Sequence, residues 1–72
     1  MNREERIQAY MDSVVSYCKG NSERIVDLCT NNIKMYTSVT PHSDRAKETT
    51  HIRIEALTRL LDKHRQLELF KL

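Results

Sequence analysis

The last part of the chain, about residues 43–72, constrains the fold more than any other stretch. Its apolar side chains recur at helical spacing, and neither Gly nor Pro interrupts it. A helix of about 27 residues would be roughly 40 Å long, whereas a helix of about 16 residues would be roughly 24 Å long. The pattern therefore predicts one long helix over about residues 43–70, longer than any helix that the first half can form.

The apolar stripe of this predicted helix is wide. Leu61 and Leu72 lie within about 20° of Ile54 around the helix, and the whole apolar arc covers about 200°. A surface helix usually needs little more than about 100°. We therefore expect one part of the arc to pack on the rest of the chain and another part to remain for a partner.

Two shorter helices are predicted before it, at about residues 3–19 and 22–36. Gly20 lies between them and suits a left-handed C-terminal cap. Because only two or three residues connect them, we expect the two helices to pack side by side and antiparallel. The predicted fold is therefore a single all-α domain, residues 1–72, in which an antiparallel helical hairpin and a longer C-terminal helix form a three-helix bundle.

Some helix boundaries stay open at this point. Asn21 or Ser22 can cap the second helix, and either Thr40 or Ser43 can cap the third. The β-branched residues within 49–54 lower helix propensity, so a break there is an alternative to one continuous helix. We favour a continuous helix because the apolar spacing holds on both sides of that segment.

A chain of 72 residues is short for a self-sufficient core, which at this size supplies typically ~3–5 kcal/mol. Helical spacing puts Cys18 and Cys29 roughly 8 Å apart along the helix axes, beyond the ~7 Å limit between the Cα atoms of a disulfide. The three histidines are too dispersed for a metal site. We therefore expect two buried free thiols, no metal and no cofactor, and stabilisation by a homodimer.

The end of the long helix is the expected assembly surface. Four of the last six residues of the sequence, LELFKL, are large and apolar, which is too many for a frayed tail. We expect a homodimer through this helix, with an unidentified partner protein as the other use of the same surface. The predicted interface residues are Leu60, His64, Leu67, Leu69, Phe70 and Leu72.

Several functional classes are disfavoured by the composition. A single Gly excludes glycine-rich phosphate-binding loops, and the acidic residues form no paired-carboxylate cleft. We therefore expect no enzyme, no catalytic residue and no small-molecule substrate. No apolar run approaches the ~20 residues of a membrane span and no signal segment is present, so we expect a cytoplasmic protein that does not enter membranes.

These features favour a small helical regulatory protein, of the inhibitor or accessory-factor type, that binds a partner protein. Small phage- or plasmid-encoded accessory proteins are comparable in size and class only. The alternative is a small dimeric nucleic-acid-binding transcriptional regulator whose basic edge contains Arg45, Arg59 and Lys63. We favour it less because acidic residues interleave with the basic ones and the net charge is only +2. A structural subunit of a larger assembly is a third reading.

Overall fold

A computed structural model of the chain describes the backbone of residues 1–70 and the side chains of residues 1–66. The described chain folds into three helices, α1 (Arg3–Tyr17), α2 (Ser22–Ser38) and α3 (Asp44–Phe70), and contains no strand. The predicted all-α fold of three helices is thereby confirmed. The predicted dimer stays a prediction.

The connection between α1 and α2 is built from two residues in the left-handed conformation. Gly20 has φ 72°, as its position in the sequence predicts, and Lys19 has φ 54°. The backbone N–H of Gly20 donates to the carbonyl of Val15 over 3.0 Å, which closes the end of α1. Because the chain turns this early, α1 ends at Tyr17 and not at about residue 19 as predicted.

The helix N-termini are capped by Asn2, Asn21 and Ser43. In each case the backbone N–H three residues further on donates to the side-chain oxygen, over 2.8, 3.1 and 3.1 Å. Such bonds satisfy N–H groups that the helix leaves without partners. Asn21 rather than Ser22, and Ser43 rather than Thr40, are therefore the caps of α2 and α3.

Helix α3 continues without a break through residues 49–54. Ile52 is buried within this segment, and Ile54 is half-buried. Burial of apolar side chains outweighs the small propensity penalties of β-branched residues, since tertiary packing supplies most of a helix's stability in a protein. The expected continuity is confirmed.

The closest helix pairs are α2 with α3 and α1 with α3, whereas α1 and α2 approach each other much less. Ser22 at the start of α2 contacts His64, and Tyr36 near its end contacts Arg53, so α2 and α3 run antiparallel. Sequence reasoning placed the close antiparallel pair in the first two helices. The structure places it in α2 and α3, because α3 is the helix on which both shorter helices pack.

The core has two parts. A three-helix core joins all the helices and contains Val14, Cys18, Ile25, Cys29, Leu57 and Leu60. A smaller cluster, the α1 seam, lies between α1 and α3 and contains Ile7, Ile52 and Ala56. Tyr10 and Met11 pack against both clusters and connect them.

This arrangement explains the wide apolar arc of α3. Leu57 and Leu60 pack in the three-helix core, whereas Ile52 and Ala56 pack against α1 on another side of the helix. The expectation of spare apolar surface assumed that the two shorter helices share one face of α3. Since they occupy two sides, the apolar residues Ile52, Ala56, Leu57 and Leu60 are all used within the chain, and the width of the arc alone is no evidence for a partner.

Candidate protein-binding surface

An open and largely apolar hollow of the described part lies where α2 ends and α3 begins. It has a volume of about 340 Å³ and is bordered by both helices and by the loop between them. We call it the loop-end groove. Its lining residues are Met35, Tyr36, Val39, Thr40, Pro41, His42, Ala46 and Thr50.

Two apolar side chains of the loop-end groove are largely open to solvent. Met35 is 49% exposed and Val39 is 58% exposed. Val39 follows the last turn of α2 with extended backbone angles, so its side chain leaves the α2–α3 core. Methionine and aromatic side chains are enriched at protein interfaces, and Met35 and Tyr36 both line this groove. The groove therefore has the chemistry of a protein-binding surface.

Sequence reasoning did not find the loop-end groove. Met35 and Tyr36 belong to the predicted apolar face of α2, but residues 37–43 were expected only to form a loop, with nucleic acid as its one possible ligand. The groove exists because α2 continues to Ser38 and the chain then returns directly into α3 at Asp44. Val39, two residues before Pro41 in a short loop, is the sequence signal that could have indicated it.

Two of the predicted interface residues are used within the chain. Leu60 is only 2% exposed and lies in the three-helix core. His64 is half-buried, and its Nδ1 lies 2.7 Å from the hydroxyl oxygen of Ser22. The side chains of the other predicted interface residues, Leu67, Leu69, Phe70 and Leu72, lie outside the described residues.

The backbone of α3 extends beyond the start of its neighbour. His64 lies opposite Ser22, the first residue of α2, and α3 continues to Phe70. Six further helical residues advance about 9 Å along the axis. The end of α3 therefore projects past the α2–α3 pairing, at the opposite end of α2 from the loop-end groove.

The predicted basic edge is not gathered into one site. Arg59 donates from both terminal nitrogens to the Glu4 carboxylate over 2.9 Å, and also to Glu55 over 3.1 Å. Arg45 and Lys63 are exposed and form no ion pair among the residues whose side chains are described. These two are roughly 27 Å apart along α3. Arg59 thus serves the contact between α1 and α3, and the other two cations stand alone.

Further ion pairs flank the α1 seam. Arg3 pairs with Glu55, and Arg6 pairs with Glu48 over 3.1 Å. The hydrogen bond from Arg59 lowers the pKa of the Glu4 carboxyl, and the hydrogen bond from Arg3 is the main cause that lowers the pKa of Glu55. All these side chains are at least one-third exposed. The ion pairs therefore orient α1 on α3 but contribute little to the free energy of unfolding.

A second polar contact connects all three helices. The Arg53 guanidinium lies 5.6 Å from the ring centre of Tyr10 and 5.8 Å from that of Tyr36. It also donates to the Tyr36 hydroxyl over 3.1 Å. Burial, and then the neighbouring Tyr36 hydroxyl, raise the pKa of Tyr10 to about 12. Sequence reasoning did not identify this contact, which fixes the helices and presents no reactive group.

Both cysteines are free and buried, as predicted. Burial, and then the nearby Cys18, raise the pKa of the Cys29 thiol to about 11. A thiol with so high a pKa is a poor nucleophile near neutral pH. Within residues 1–66, no group of three or more His, Cys, Asp or Glu side chains is placed to hold a metal ion.

Comparison with known protein families, curated protein sequences and solved structures finds no match to this chain. No helix in the described part of the chain is long and apolar enough to cross a membrane. Among the surfaces described, the loop-end groove combines open apolar side chains with a definite shape, and it is therefore the candidate binding surface.

Proposed function

We propose that this chain is a small helical regulatory or accessory protein that acts by binding a partner protein through the loop-end groove. The observation that carries the proposal is the exposure of Met35 and Val39 on an apolar groove between two helices. Each buried Å² of apolar surface contributes about 25 cal/mol, so covering these side chains favours association.

We also propose that the chain forms a homodimer through its C-terminal helix. The extension of α3 beyond the level of Ser22 supports this, together with the apolar residues Leu67, Leu69, Phe70 and Leu72 in the sequence. Leu60 and His64 contribute indirectly, by holding α3 against α2.

Nucleic-acid binding is the second candidate function and has weaker support. It needs several cations that contact neighbouring phosphates. Arg59 is already shared by Glu4 and Glu55, and its partners would have to be displaced before it could contact a phosphate. Steeply salt-dependent binding to duplex or single-stranded nucleic acid, weakened in Arg45→Ala and Lys63→Ala, would favour this alternative.

The proposal is tested by capturing partners from the native source with two matched variants. Val39→Asp puts a charge in the loop-end groove, whereas Ala9→Asp puts the same charge at an exposed position of α1 that borders a hollow between α1 and α3, outside the loop-end groove. We expect mass spectrometry to identify a protein retained by the wild type and by Ala9→Asp and lost by Val39→Asp. Equal retention by all three chains contradicts the groove as the binding surface. Circular dichroism verifies that both variants keep their helices.

A further inference from the structure

We infer that the hollow between α1 and α3 binds a small organic phosphate, namely a phosphate monoester whose organic part is apolar. We call it the α1–α3 hollow. It has a volume of about 330 Å³, and its lining includes Arg6, Ala9, Tyr10, Thr49, Ile52 and Arg53. It shares no lining residue with the loop-end groove. The inference therefore goes beyond the proposed function and does not depend on it.

The charge of the α1–α3 hollow favours a doubly charged anion. Arg6 comes from α1 and Arg53 comes from α3, and the lining that the structure describes contains no Asp or Glu. A phosphate monoester carries a charge of about −1.5 to −2 near neutral pH. Two arginines match that charge, and a planar guanidinium donates paired hydrogen bonds to phosphate oxygens.

Arg53 is a half-buried cation with donors left for a ligand. Its guanidinium lies over the rings of Tyr10 and Tyr36, and one terminal nitrogen donates to the Tyr36 hydroxyl. Arg53 forms no ion pair with any side chain of residues 1–66, and none of its nitrogens is buried without a partner. Its other N–H donors therefore reach solvent. Because the two rings already fix the guanidinium, an anion that binds it loses little affinity to side-chain ordering.

Arg6 has a partner within the chain that a ligand can replace. It pairs with Glu48 through one contact of 3.1 Å, and the two side chains are 38% and 59% exposed. An ion pair this open to water contributes little to stability. A phosphate group in the α1–α3 hollow can therefore take the place of the Glu48 carboxylate at small cost.

The rest of the lining favours an apolar group on the phosphate. Ala9, Ile52 and the ring of Tyr10 supply apolar surface, and the Thr49 hydroxyl supplies one more hydrogen-bond donor. Ligand sites of ~300–1,000 Å³ typically combine a mostly apolar lining with a few polar groups. The α1–α3 hollow has this composition and lies near the lower end of that range, so phenyl phosphate is a suitable probe.

The first test is calorimetric titration with phenyl phosphate, inorganic phosphate and benzoate. We expect phenyl phosphate to bind more tightly than either of the others, because only phenyl phosphate has both the double charge and the apolar group. Ala9→Asp puts a carboxylate at the exposed rim of the hollow and should weaken this binding at least about tenfold. Ala9→Asn has the same size without the charge and should bind like the wild type.

The second test looks for a gain of affinity, which unfolding cannot mimic. Glu48→Gln removes the carboxylate that competes for Arg6, so phenyl phosphate should bind up to about fivefold more tightly. Glu23→Gln is the control, because it changes the net charge equally and Glu23 lies exposed at the start of α2, outside the lining. Arg53→Gln should weaken binding at least about tenfold, with unchanged circular dichroism.

Hydrogen exchange reports whether the ligand lies between the two helices. Because phenyl phosphate would contact Arg6 of α1 and Arg53 of α3, it should slow exchange of the α1 amides in the wild type. The same concentration should leave Ala9→Asp unchanged. Slowed exchange in both chains would show that the anion acts at another surface and would overturn the inference.

Three further results would also overturn it. They are no binding of phenyl phosphate to the wild type, equal affinity for phenyl phosphate and inorganic phosphate, and equal tightening in Glu48→Gln and Glu23→Gln. The last two would mean attraction by overall charge without recognition in the hollow. Because Ala9→Asp keeps the loop-end groove intact, partner capture and ligand binding can fail independently.

Discussion

Helix α3 holds its two neighbours by different means. Against α2 it presents large apolar side chains, with Leu57 and Leu60 packed on Ile25 and Cys29 in the three-helix core. Against α1 it presents the edge of the same core, where Val14 and Cys18 pack, and the smaller seam around Ile7, which is flanked by ion pairs. One contact depends on excluding water, and the other depends in part on charges that water and salt reach.

This difference predicts how the protein responds to stress. Salt does not screen apolar burial, whereas ion pairs between exposed side chains are screened and contribute little. The α2–α3 pair should therefore supply most of the stability, and α1 should be the helix released first. We therefore expect a firmly packed helical pair and a third helix attached more weakly.

The largest loss of stability is expected when a side chain of the three-helix core is truncated. Leu57 and Ile7 are both fully buried, one in each contact. Truncating a buried Leu or Ile to Ala typically costs ~2–5 kcal/mol, comparable to the ~3–5 kcal/mol that a domain of this size has in total. We expect Leu57→Ala to lie at the upper end of that range and to unfold much of the population, and Ile7→Ala to lie at the lower end. Urea denaturation followed by circular dichroism measures both costs.

Hydrogen exchange in the same two variants tests whether α1 separates from α3 more easily than α2 does. In Ile7→Ala, the backbone amides of α1 should exchange faster while those of α2 and α3 keep their protection. In Leu57→Ala, protection should fall in all three helices together. Equal costs and uniform loss of protection in both variants would show that the two contacts form one cooperative unit.

The helices could be predicted from the sequence, because the signals are local, whereas the caps of α2 and α3 were each narrowed only to two candidates. Asn2, Asn21 and Ser43 precede apolar residues at helical spacing, and Gly20 stands where the chain must adopt a positive φ. Such local rules gave helix ends within about two residues, the usual precision of helix boundaries. They also predicted that both cysteines are buried and free.

Those local rules could not predict which helices pack against each other. A short connection made α1 and α2 the expected close pair, but the arc of α3 was wide enough to serve both helices separately. The periodicity of apolar residues gives the width of a helix's apolar face, but it does not show how many neighbouring helices pack on that face. The groove at Val39 was missed for a related reason, since it arises only when α2 and α3 are brought together.

Substitutions in the connection between α1 and α2 should change the free energy of unfolding by an intermediate amount. A Cβ atom at Gly20 would meet no other atom within 4 Å, so Gly20→Ala should cost only the left-handed strain, about 1–2 kcal/mol. Lys19 already bears this strain at φ 54°, so Lys19→Gly should stabilise the protein by up to about 1 kcal/mol. Thermal unfolding of the two variants should move in opposite directions. A fall in both would indicate that Lys19 contributes by its side chain.

The smallest effect is expected from the ion pairs of the α1 seam. The pKa values of Glu4 and Glu55 lie below the ordinary 4.5, so their stabilising effect is present above that pH and is lost as the pH falls through the lowered values. Arg59→Gln removes the cation that Glu4 and Glu55 share, so stability should depend less on pH in the acid range. High salt should have the same effect on the wild type.

Arg24→Gln is the matched control, because Arg24 is exposed and forms no ion pair in the described part of the chain. Urea denaturation is suitable because urea is uncharged and leaves the ion pairs unscreened. At low salt and neutral pH, the Arg59 variant should unfold at a slightly lower urea concentration than the control. As the pH falls through the lowered pKa values of Glu4 and Glu55 and these carboxylates become protonated, the two midpoints should converge. A difference that persists in acid would mean that Arg59 holds α1 by packing of its aliphatic stem, and the contrast between an apolar and a charged contact would then have to be abandoned.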